Sequence, residues 1–260
     1  MSLRVVLTKM HGARNDFLIL DRRSAPVEAL DALAREVCDR RGGIGADGLI
    51  VIEAARAAGI AMRIFNADGS EAEMCGNGIR CAARWLDERD EGDRIAFSTA
   101  GGVVQTEIVQ RTPEYLVRAI MPQPHVTAGS FDGLTDAVVI DVGNPHIVLF
   151  RSDIEAFDLE AFARRLQEGQ RFPGGVNVHV AAIDTPQVVR VRHWERGVGA
   201  TQACGTGAVA VAVAAVAGGR MRSPVEVVVP GGTLMVEWDG GSAPALVGPA
   251  VRVFETEIEV

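Results

Sequence analysis

The chain has 260 residues, of which 48% are hydrophobic and 23% charged, a composition typical of a globular protein with one large or two modest domains. Its net charge of −8 and the scarcity of basic runs argue against a nucleic-acid partner. The first residues lack the apolar core of a signal peptide, and the apolar stretch 208–217 is shorter than the roughly 20 residues that cross a bilayer, so we expect a cytoplasmic protein with no membrane partner.

The first part of the chain alternates predicted strands and helices. Strands at 5–7 and 17–20 flank a polar stretch, 9–16, that we interpret as a turn. A helix at 27–40 has apolar residues at helical spacing, and Cys38 within it has a core role by default. The glycine-rich stretch 41–48 precedes a strand at 49–52 and lacks a P-loop ending, which favours a structural turn over a phosphate site.

A second helix follows the strand 62–65 and the turn 66–69. We place it at 79–90, with Ile79, Ala83 and Leu86 on its buried face and Cys81 in the core. Further strands are predicted at 94–98, 102–109 and 115–121. Two prolines in 121–124 exclude helix and central strand, so this is the best candidate for a domain boundary.

The second part of the chain repeats this alternation. We predict strands at 137–142 and 147–150 around a turn at 143–146, a helix at 159–168, and strands ending at 183 and covering 189–194. Strands at 225–229, 233–238 and 245–253 complete the chain. On local sequence alone His146 is a structural histidine, and His11, His125, His179 and His193 carry no signal of chemistry.

The helix at 208–217 consists of alanine and valine and has no polar face. A helix that is apolar all round must be buried all round. We therefore expect a central helix wrapped by strands.

One short pattern occurs twice, as Cys75-Gly76-Asn77-Gly78 and Cys204-Gly205-Thr206-Gly207. Each copy follows a strand and a polar turn and opens a helix, and Asn66 and Glu195 each stand nine residues before their cysteine. The two copies lie about half a chain apart, which indicates two related halves.

This repeated unit has a specific chemistry. A thiol at a helix start lies among unpaired backbone N–H groups, which favour the thiolate relative to the free pKa of about 8.5, and the glycines let a carboxylate approach the same groups. If the halves face each other, a thiolate and a thiol could remove and return a proton on opposite sides of an α-carbon. Lys9 is the only lysine, so a pyridoxal Schiff base is disfavoured and no cofactor is expected.

Three other interpretations of the cysteines stay open at this stage. Buried cysteines often act as small hydrophobic residues, and a disulfide is a second possibility that a reducing compartment disfavours. A zinc site is a third, but neither Cys-x-x-Cys nor His-x-x-x-His occurs, so we expect no metal.

Several motifs together resemble the diaminopimelate epimerase family. They run in order along nearly the whole chain: Lys9-Met10-His11-Gly12 with Asn15-Asp16-Phe17, Gly45-Ala46-Asp47-Gly48, Asn66-Ala67-Asp68-Gly69-Ser70 through Gly78, Gly143-Asn144-Pro145-His146, and Glu195-Arg196-Gly197 through Gly207. The resemblance implies a cofactor-independent epimerase that interconverts LL- and meso-2,6-diaminopimelate in lysine and peptidoglycan-precursor biosynthesis. The expected partners are this substrate and, as a hypothesis, a second copy in a homodimer.

The resemblance also implies a fold of α/β (α+β) class. Two pseudo-symmetric domains would each curl a mixed β-sheet around a central helix, with the site in the cleft. We assign them to 1–120, joined by a terminal strand at 251–260, and to 121–250.

Site residues are carried over from the family motif by motif. Cys75 and Cys204 resemble the two catalytic bases, and His146 and Glu195 match polar residues beside the reacting centre. The family's carboxylate cradle is matched by Gly76, Asn77, Gly205 and Thr206. Its residues that bind the substrate's amino and carboxylate groups are matched by Asn15, Asn66, Asn144, Asn177, Glu195 and Arg196. An arginine suits a distal carboxylate because its fork binds both oxygens.

The chain departs from the family at three positions. Arg14 stands in place of the usual glycine, Ala200 in place of the usual glutamate, and Gly42 where phenylalanine or threonine is common. Arg14 and Ala200 bear on rate and substrate preference. The competing hypotheses are a related racemase of proline, hydroxyproline or histidine, and a redox protein that uses Cys75 and Cys204 as a dithiol.

Overall fold

The computed structural model describes residues 4–55, 59–128, 137–168 and 172–259. Contacts between Cα atoms divide the chain into two compact units: unit 1 is Met1–Ala119 with Gly248–Val260, and unit 2 is Ile120–Val247. Among the helices of the described residues, none combines the length and the apolar character that crossing a membrane requires.

Unit 1 is a mixed sheet with two helices. Its elements are β1 (Arg4–Gly12), β2 (Asn15–Asp21), α1 (Leu30–Cys38), β3 (Gly48–Ala54), β4 (Ile60–Asn66), β5 (Glu71–Ala72), α2 (Gly76–Asp87), β6 (Arg94–Thr99), β7 (Gly102–Gln110), β8 (Leu116–Ile120) and β18 (Val251–Glu259). Neighbouring strands follow the order β18, β1, β2, β3, β4, β6, β7, β8, with β5 beside β4. The pairs β2–β3 and β4–β6 are parallel, and the other pairs are antiparallel.

Unit 2 is built from the same kinds of element. These are β9 (His125–Ala128), β10 (Ala137–Asp141), β11 (Pro145–Phe150), α3 (Leu159–Glu168), β12 (Asn177–Thr185), β13 (Val188–Glu195), β14 (Gly199–Thr201), α4 (Gly205–Ala217), β15 (Val225–Val229), β16 (Gly232–Glu237) and β17 (Ala245–Pro249). The order of neighbours is β9, β10, β11, β12, β13, β15, β16, β17, with β14 beside β13. The parallel pairs are β11–β12 and β13–β15.

The two units therefore share one topology, strand for strand and direction for direction. Helices α1 and α3 connect the first parallel pair of their units, and α2 and α4 connect the second. The unit 1 counterpart of β9 is β18, which comes from the far end of the chain and pairs with β1. The predicted α/β class with two pseudo-symmetric halves is confirmed.

Each unit has one helix enclosed by its own strands. Helix α2 packs against β1, β2, β3 and β7, and α4 packs against β9 to β13, β15 and β16. The residues of α4 from Ala208 to Ala215 are buried on every side, which confirms the interpretation of its apolar sequence. Helix α1 packs on β3 and β4, and α3 packs on β12 and β13, where apolar side chains form a further core in each unit.

The structure corrects several predicted boundaries. The polar stretch 9–16 is not a wide turn, because β1 continues to Gly12 and the chain reverses at Ala13 and Arg14, whose φ angles of 50° and 65° are those of a two-residue hairpin turn. Pro145 and His146 belong to β11 instead of a turn, and the predicted strand at 245–253 divides at Ala250 into β17 and β18. The helices predicted at 27–40 and 79–90 end earlier, at Cys38 and Asp87.

Candidate active site

In unit 1, Cys75 is the N-cap residue of α2. Its extended backbone, with φ −139° and ψ 117°, ends the chain segment that follows β5, and the carbonyl of Cys75 accepts the first helical hydrogen bond from the N–H of Ile79. The thiol is half-buried and donates to Oδ1 of Asn15 at 3.7 Å, an oxygen that also accepts from Nδ2 of Asn77 at 3.1 Å. The structure thus brings Asn15, Cys75, Gly76 and Asn77 together.

A network of charges fixes Asn15 from the other side. Nδ2 of Asn15 donates to Oδ2 of Asp47 at 2.8 Å, and the same oxygen accepts from the backbone N–H of Asp16 at 3.1 Å. Asp16 forms ion pairs with Lys9 and Arg40. Burial acts to raise the pKa of Asp16, but the hydrogen bonds from Arg40 and Lys9 outweigh it and lower that pKa to about 2.

Arg80 is a cation buried beneath the first turn of α2. Its guanidinium is 0% exposed and donates from Nη1 to the carbonyl of Gly76 at 2.8 Å and from Nη2 to Oδ1 of Asn77 at 2.9 Å. Burial lowers its pKa to about 10, and electrostatic interaction with Cys81 and Cys75 acts against that shift. Arg80 therefore stays charged at neutral pH and favours negative charge in its surroundings.

Asn66 does not join the hydrogen bonds around Cys75. Its Nδ2 donates to Oγ of Ser70 at 2.9 Å, inside the turn that ends β4. The match to the family motif is the reason to assign it to the substrate.

In unit 2, Cys204 occupies the equivalent position at the start of α4. Its backbone has φ −120° and ψ 113°, and its sulfur accepts from the N–H of Gly207 at 3.4 Å and lies 3.6 Å from Oγ1 of Thr206. The residue is 4% exposed. Gly205 is buried beside it in the first turn.

The structure contradicts one expectation about Cys204. A helix start should favour its thiolate, yet burial and then the charge and hydrogen bond of Glu195 raise the pKa of this thiol well above its ordinary value. The N–H of Gly207 and the hydroxyl of Thr206 lower it by less. The prediction of a lowered pKa is therefore wrong for Cys204, because desolvation and a like charge outweigh the helix N-terminus.

The second glycine of each motif lies close to a strand side chain, and at Gly207 the space excludes any side chain. A Cβ at Gly207 would lie 2.5 Å from Cε1 of His179, and a Cβ at Gly78 would lie 3.1 Å from Cδ1 of Ile50. His179 lies on β12, and Ile50 lies on β3, the corresponding strand of unit 1. At these two positions the close approach is by a strand side chain.

His146 lies at the start of β11 and is 0% exposed. Its Nε2 is 2.8 Å from Oδ1 of Asn144, and its Nδ1 is 2.8 Å from Nε2 of His179. Burial and the nearby charges of His193 and Arg196 lower the pKa of His146 to about 3, so the ring is neutral at physiological pH.

Asn177 and Arg196 form a second group in unit 2. Oδ1 of Asn177 accepts from the backbone N–H of Arg196 at 2.9 Å, and Nη1 of Arg196 donates to the carbonyl of Gly174 at 2.7 Å. The arginine side chain covers Gly175, where a Cβ would lie 2.6 Å from its Cδ. The turn at Glu195 and Arg196 is thereby tied to the start of β12 and to the loop that precedes it.

The family departures occupy identifiable places. Arg14 is one of the two hairpin residues with positive φ, which explains why glycine suits this position. Ala200 pairs with Trp194 across β13 and β14, and the N–H of Gly42 donates to Oδ1 of Asp39 at 2.6 Å.

Two groups near the cysteines were missed by sequence reasoning. His179 and His193 lie on neighbouring strands in direct register, and Arg80 lies on the buried side of α2. Their alternation with apolar residues in strands was the available signal for the histidines. Arg80 had no comparable signal, because a charged residue usually prefers solvent.

The four cysteines all lie within the described residues, and all are free thiols. Burial raises the pKa of Cys38 and of Cys81 to about 12, so neither is a base at neutral pH. Across residues 4–55, 59–128, 137–168 and 172–259, no three His, Cys, Asp or Glu side chains form a group suited to a metal ion.

Comparison with known proteins places this geometry in a family. The sequence profile of diaminopimelate epimerase matches residues 7–125 and 138–253. The diaminopimelate epimerase of Sphingopyxis alaskensis is 41% identical over 263 residues, covering 97% of this chain and 96% of that protein. That of Desulforudis audaxviator is 41% identical over 270 residues, covering 95% and 97%.

Solved structures show the same fold at low sequence identity. A phenazine biosynthesis protein of the PhzF family from Bacillus anthracis has a TM-score of 0.75 at 18% identity, covering 98% of this chain and 99% of that one. A hydroxyproline epimerase from Agrobacterium vitis has a TM-score of 0.70 at 15% identity, covering 99% and 93%. On the profile match and the full-length relatives, the chain belongs to the diaminopimelate epimerase family and is an isomerase.

Proposed function

We propose that Cys75 and Cys204 are the two bases with which this isomerase interconverts LL- and meso-2,6-diaminopimelate. The observation that carries the proposal is that the family's two cysteines occupy the same place in two units of one topology, each as the N-cap of the enclosed helix. In the proposed reaction one thiolate removes the α-proton, and the thiol of the other cysteine delivers a proton to the opposite face of the same carbon. The first cysteine ends as thiol and the second as thiolate, so charge and protons balance.

The carbanion between these steps needs stabilisation, which we assign to the helix starts. The backbone N–H groups of Gly76, Asn77, Gly205 and Thr206 belong to the first turns of α2 and α4, where no carbonyl of the same helix can accept from them. Such groups stabilise charge that develops on a carboxylate oxygen. We therefore propose them as the carboxylate cradle.

The remaining roles follow the family match and the local chemistry. Asn15, Asn66, Asn144 and Asn177 would bind the amino and carboxylate groups of the substrate, and Arg196 would bind its distal carboxylate. His146 would act as a neutral polar group beside the reacting centre, and Glu195 as a polar partner of Cys204.

A reaction without pyridoxal is supported by the state of Lys9. Its ammonium is buried and paired with Asp16, and it also contacts the carbonyl of Gly45. A Schiff-base lysine must be free to reach its cofactor, and the contacts with Asp16 and Gly45 hold this side chain within unit 1. Lys9 instead serves the charge network behind Asn15.

We also propose the arrangement in which this chain works. The two units would be its domains, 1–120 with 251–260 and 121–250. The protein would act in the cytoplasm, where reducing conditions keep both thiols free, and would form a homodimer.

The test is to supply the reduced protein with LL-diaminopimelate, proline and histidine in separate reactions and to follow the stereoisomers by chiral chromatography. The proposal predicts meso-diaminopimelate and no inversion of proline or histidine. Inversion of proline or histidine alone, by protein shown to be folded, would instead favour a related racemase. No inversion of any of the three amino acids, with a disulfide between Cys75 and Cys204 detected by thiol titration with and without reductant, would favour a dithiol redox protein.

A further inference from the structure

Three buried histidines of unit 2 form a continuous hydrogen-bonded chain. Nδ1 of His146 lies 2.8 Å from Nε2 of His179, and Nδ1 of His179 lies 2.8 Å from Nδ1 of His193. The rings of His146 and His179 are stacked with centroids 5.0 Å apart, and those of His179 and His193 meet edge to face at 4.8 Å. The chain ends at Oδ1 of Asn144, 2.8 Å from Nε2 of His146.

Adjacent strands hold these rings in place. His146, His179 and His193 come from β11, β12 and β13, and His179 and His193 are direct partners in the antiparallel pair β12–β13. All three are buried, with exposures of 0%, 0% and 2%. The side chains can therefore neither rotate into solvent nor exchange their partners for bulk water.

Burial fixes the number of protons that the three histidine rings carry. Desolvation lowers the pKa of His146 and of His193 to about 3, and that of His179 well below its ordinary value. Each ring is thus neutral and has one N–H donor and one acceptor nitrogen.

With Oδ1 of Asn144 facing His146, one arrangement of these donors satisfies all three contacts. Oδ1 of Asn144 accepts, so His146 carries its proton on Nε2 and accepts at Nδ1. His179 must then donate from Nε2 and accept at Nδ1, which requires His193 to donate from Nδ1. Nε2 of His193 is left as a buried acceptor, in accord with the finding that this nitrogen has no hydrogen-bond partner.

The three hydrogen-bonded histidines also contact the first turn of α4 through His179. A Cβ at Gly207 would lie 2.5 Å from Cε1 and 3.0 Å from Nε2 of His179, and the N–H of the same glycine donates to Sγ of Cys204 at 3.4 Å. The middle ring therefore packs directly against the residue that holds the Cys204 sulfur.

We infer that His179 and His193 are positioning residues that hold His146 in its Nε2–H tautomer and orient the Asn144 amide. Neither ring needs to touch the substrate for this role. Because Oδ1 of Asn144 accepts from His146, Nδ2 is the donor end of this amide, and a donor suits a carboxylate oxygen. The effect on catalysis rests on the proposed function, whereas the tautomers do not.

The tautomers are measured directly by two-bond ¹H–¹⁵N correlation spectra of protein labelled at its histidine nitrogens. At pH 7 we expect neutral rings with the proton on Nε2 in His146 and His179, and on Nδ1 in His193, the rarer form of a free imidazole. The Nδ1–H form of His146, or an imidazolium at any of the three positions, would overturn the inference. This outcome does not depend on whether the protein acts on diaminopimelate.

The catalytic consequence is tested with His193→Phe, which keeps an aromatic ring and removes the Nδ1–H donor. We expect the His146 resonances to become those of mixed tautomers and kcat for meso formation to fall about tenfold, as for the loss of one buried hydrogen bond. His193→Asn, whose Nδ2 stands at the same distance along the side chain as Nδ1 of histidine, should restore both. The exposed His125→Phe is the matched control and should change neither.

The outcomes separate this inference from the proposed function. Unchanged His146 resonances and unchanged kcat in a folded His193→Phe variant would reject the positioning role while epimerisation stands. If the Phe variant does not fold, the His193→Asn variant decides the question. Wild-type spectra and kcat in that variant support a donor at position 193 that holds the His146 tautomer, and loss of the Nε2–H tautomer of His146 rejects this role. A wild-type protein with the expected tautomers and no epimerisation would reject the proposed function alone.

Discussion

Cys75 and Cys204 stand at equivalent helix starts, but the charged side chains near them have opposite signs. Beneath the Cys75 turn lies the guanidinium of Arg80, and beside Cys204 lies the carboxylate of Glu195. A positive charge favours a thiolate and a negative charge favours a thiol. The two cysteines of one repeated backbone therefore lie in surroundings of opposite charge, which suits a reaction that begins with one base and one acid.

The hydrogen bonds of the two sulfurs show a related contrast. The Cys75 thiol donates to the neutral amide oxygen of Asn15, whereas the Cys204 thiol is hydrogen-bonded to the carboxylate of Glu195 and its sulfur accepts from the N–H of Gly207. Helix α2 carries charged residues and α4 from Gly205 to Ala217 carries none. The cysteine motif therefore fixes the position of the sulfur, and the charges around it come from residues outside the motif.

The largest effect is expected from removing either proposed base. Cys75→Ala or Cys204→Ala should lower the rate of meso formation by about 10³-fold or more, because a positioned acid or base contributes roughly 10²- to 10⁴-fold. Initial rates by chiral chromatography measure this loss, with thermal unfolding to show that the variants fold. Cys38→Ala, at a buried thiol in α1, is the matched control and should retain activity. Full activity in either single variant would break the two-base account.

Arg80→Met tests whether the buried positive charge of unit 1 acts on Cys75. Loss of the buried charge should decrease the thiolate fraction of Cys75 and lower kcat/KM by about 10- to 100-fold. Ultraviolet titration of the thiolate in a Cys204→Ala background measures the first effect. Arg84→Met, on the same helix with Glu88 as its ion-pair partner, is the control. A titration that does not move with Arg80→Met would show that this charge does not act on Cys75.

Glu195→Gln tests whether the negative charge of unit 2 acts on Cys204. The pKa of Cys204 is raised first by burial and then by Glu195, so removal of the carboxylate should lower that pKa while burial keeps it above the ordinary value. The measurement is the same ultraviolet titration in a Cys75→Ala background. Asp184→Asn, an exposed carboxylate of unit 2 paired with Arg190, should leave the titration unchanged. A shift to higher pH after Glu195→Gln would contradict the assignment of charge.

The smallest effect is on the free energy of unfolding and comes from Asp16, whose ion pairs belong to the network that holds Asn15 in unit 1. The folded pKa of Asp16 is about 2, below its unfolded value, so its contribution to the free energy of unfolding is present above about pH 4 and is lost as the pH falls towards 2. Asp16→Asn should destabilise the protein by about 2 kcal/mol at pH 7 and have little effect near pH 2. Urea unfolding at several pH values measures this, with the exposed Asp90→Asn as control. An equal loss at both ends of the range would exclude the ion pairs as its cause.

The sequence was sufficient for features that depend on neighbouring residues. The alternation of strands and helices, the all-apolar helix and the two cysteine motifs are local patterns, and the structure has an enclosed helix after each cysteine. The hairpin at Ala13 and Arg14 was misplaced because neither residue is a usual choice at positive φ.

Features that depend on strand register and burial could not be found in the same way. The contact between His179 and His193 arises because β12 and β13 pair in one register, which no local pattern fixes. The raised pKa of Cys204 arises because burial outweighs a helix N-terminus, and burial is a property of the folded unit. Arg80 is a charged residue at a wholly buried position, against the usual preference for solvent.

The most direct test of the two-base claim is the epimerisation of LL-diaminopimelate by the reduced protein in D₂O, stopped at early times and followed by NMR and mass spectrometry. If one thiolate removes the α-proton and a second thiol, exchanged with solvent, returns a deuteron on the other face, newly formed meso product carries deuterium at the inverted carbon while the remaining LL substrate carries little. Meso product that keeps the original proton, or equally rapid deuteration of the unreacted LL substrate, would indicate a single base that acts on both faces and would contradict the account.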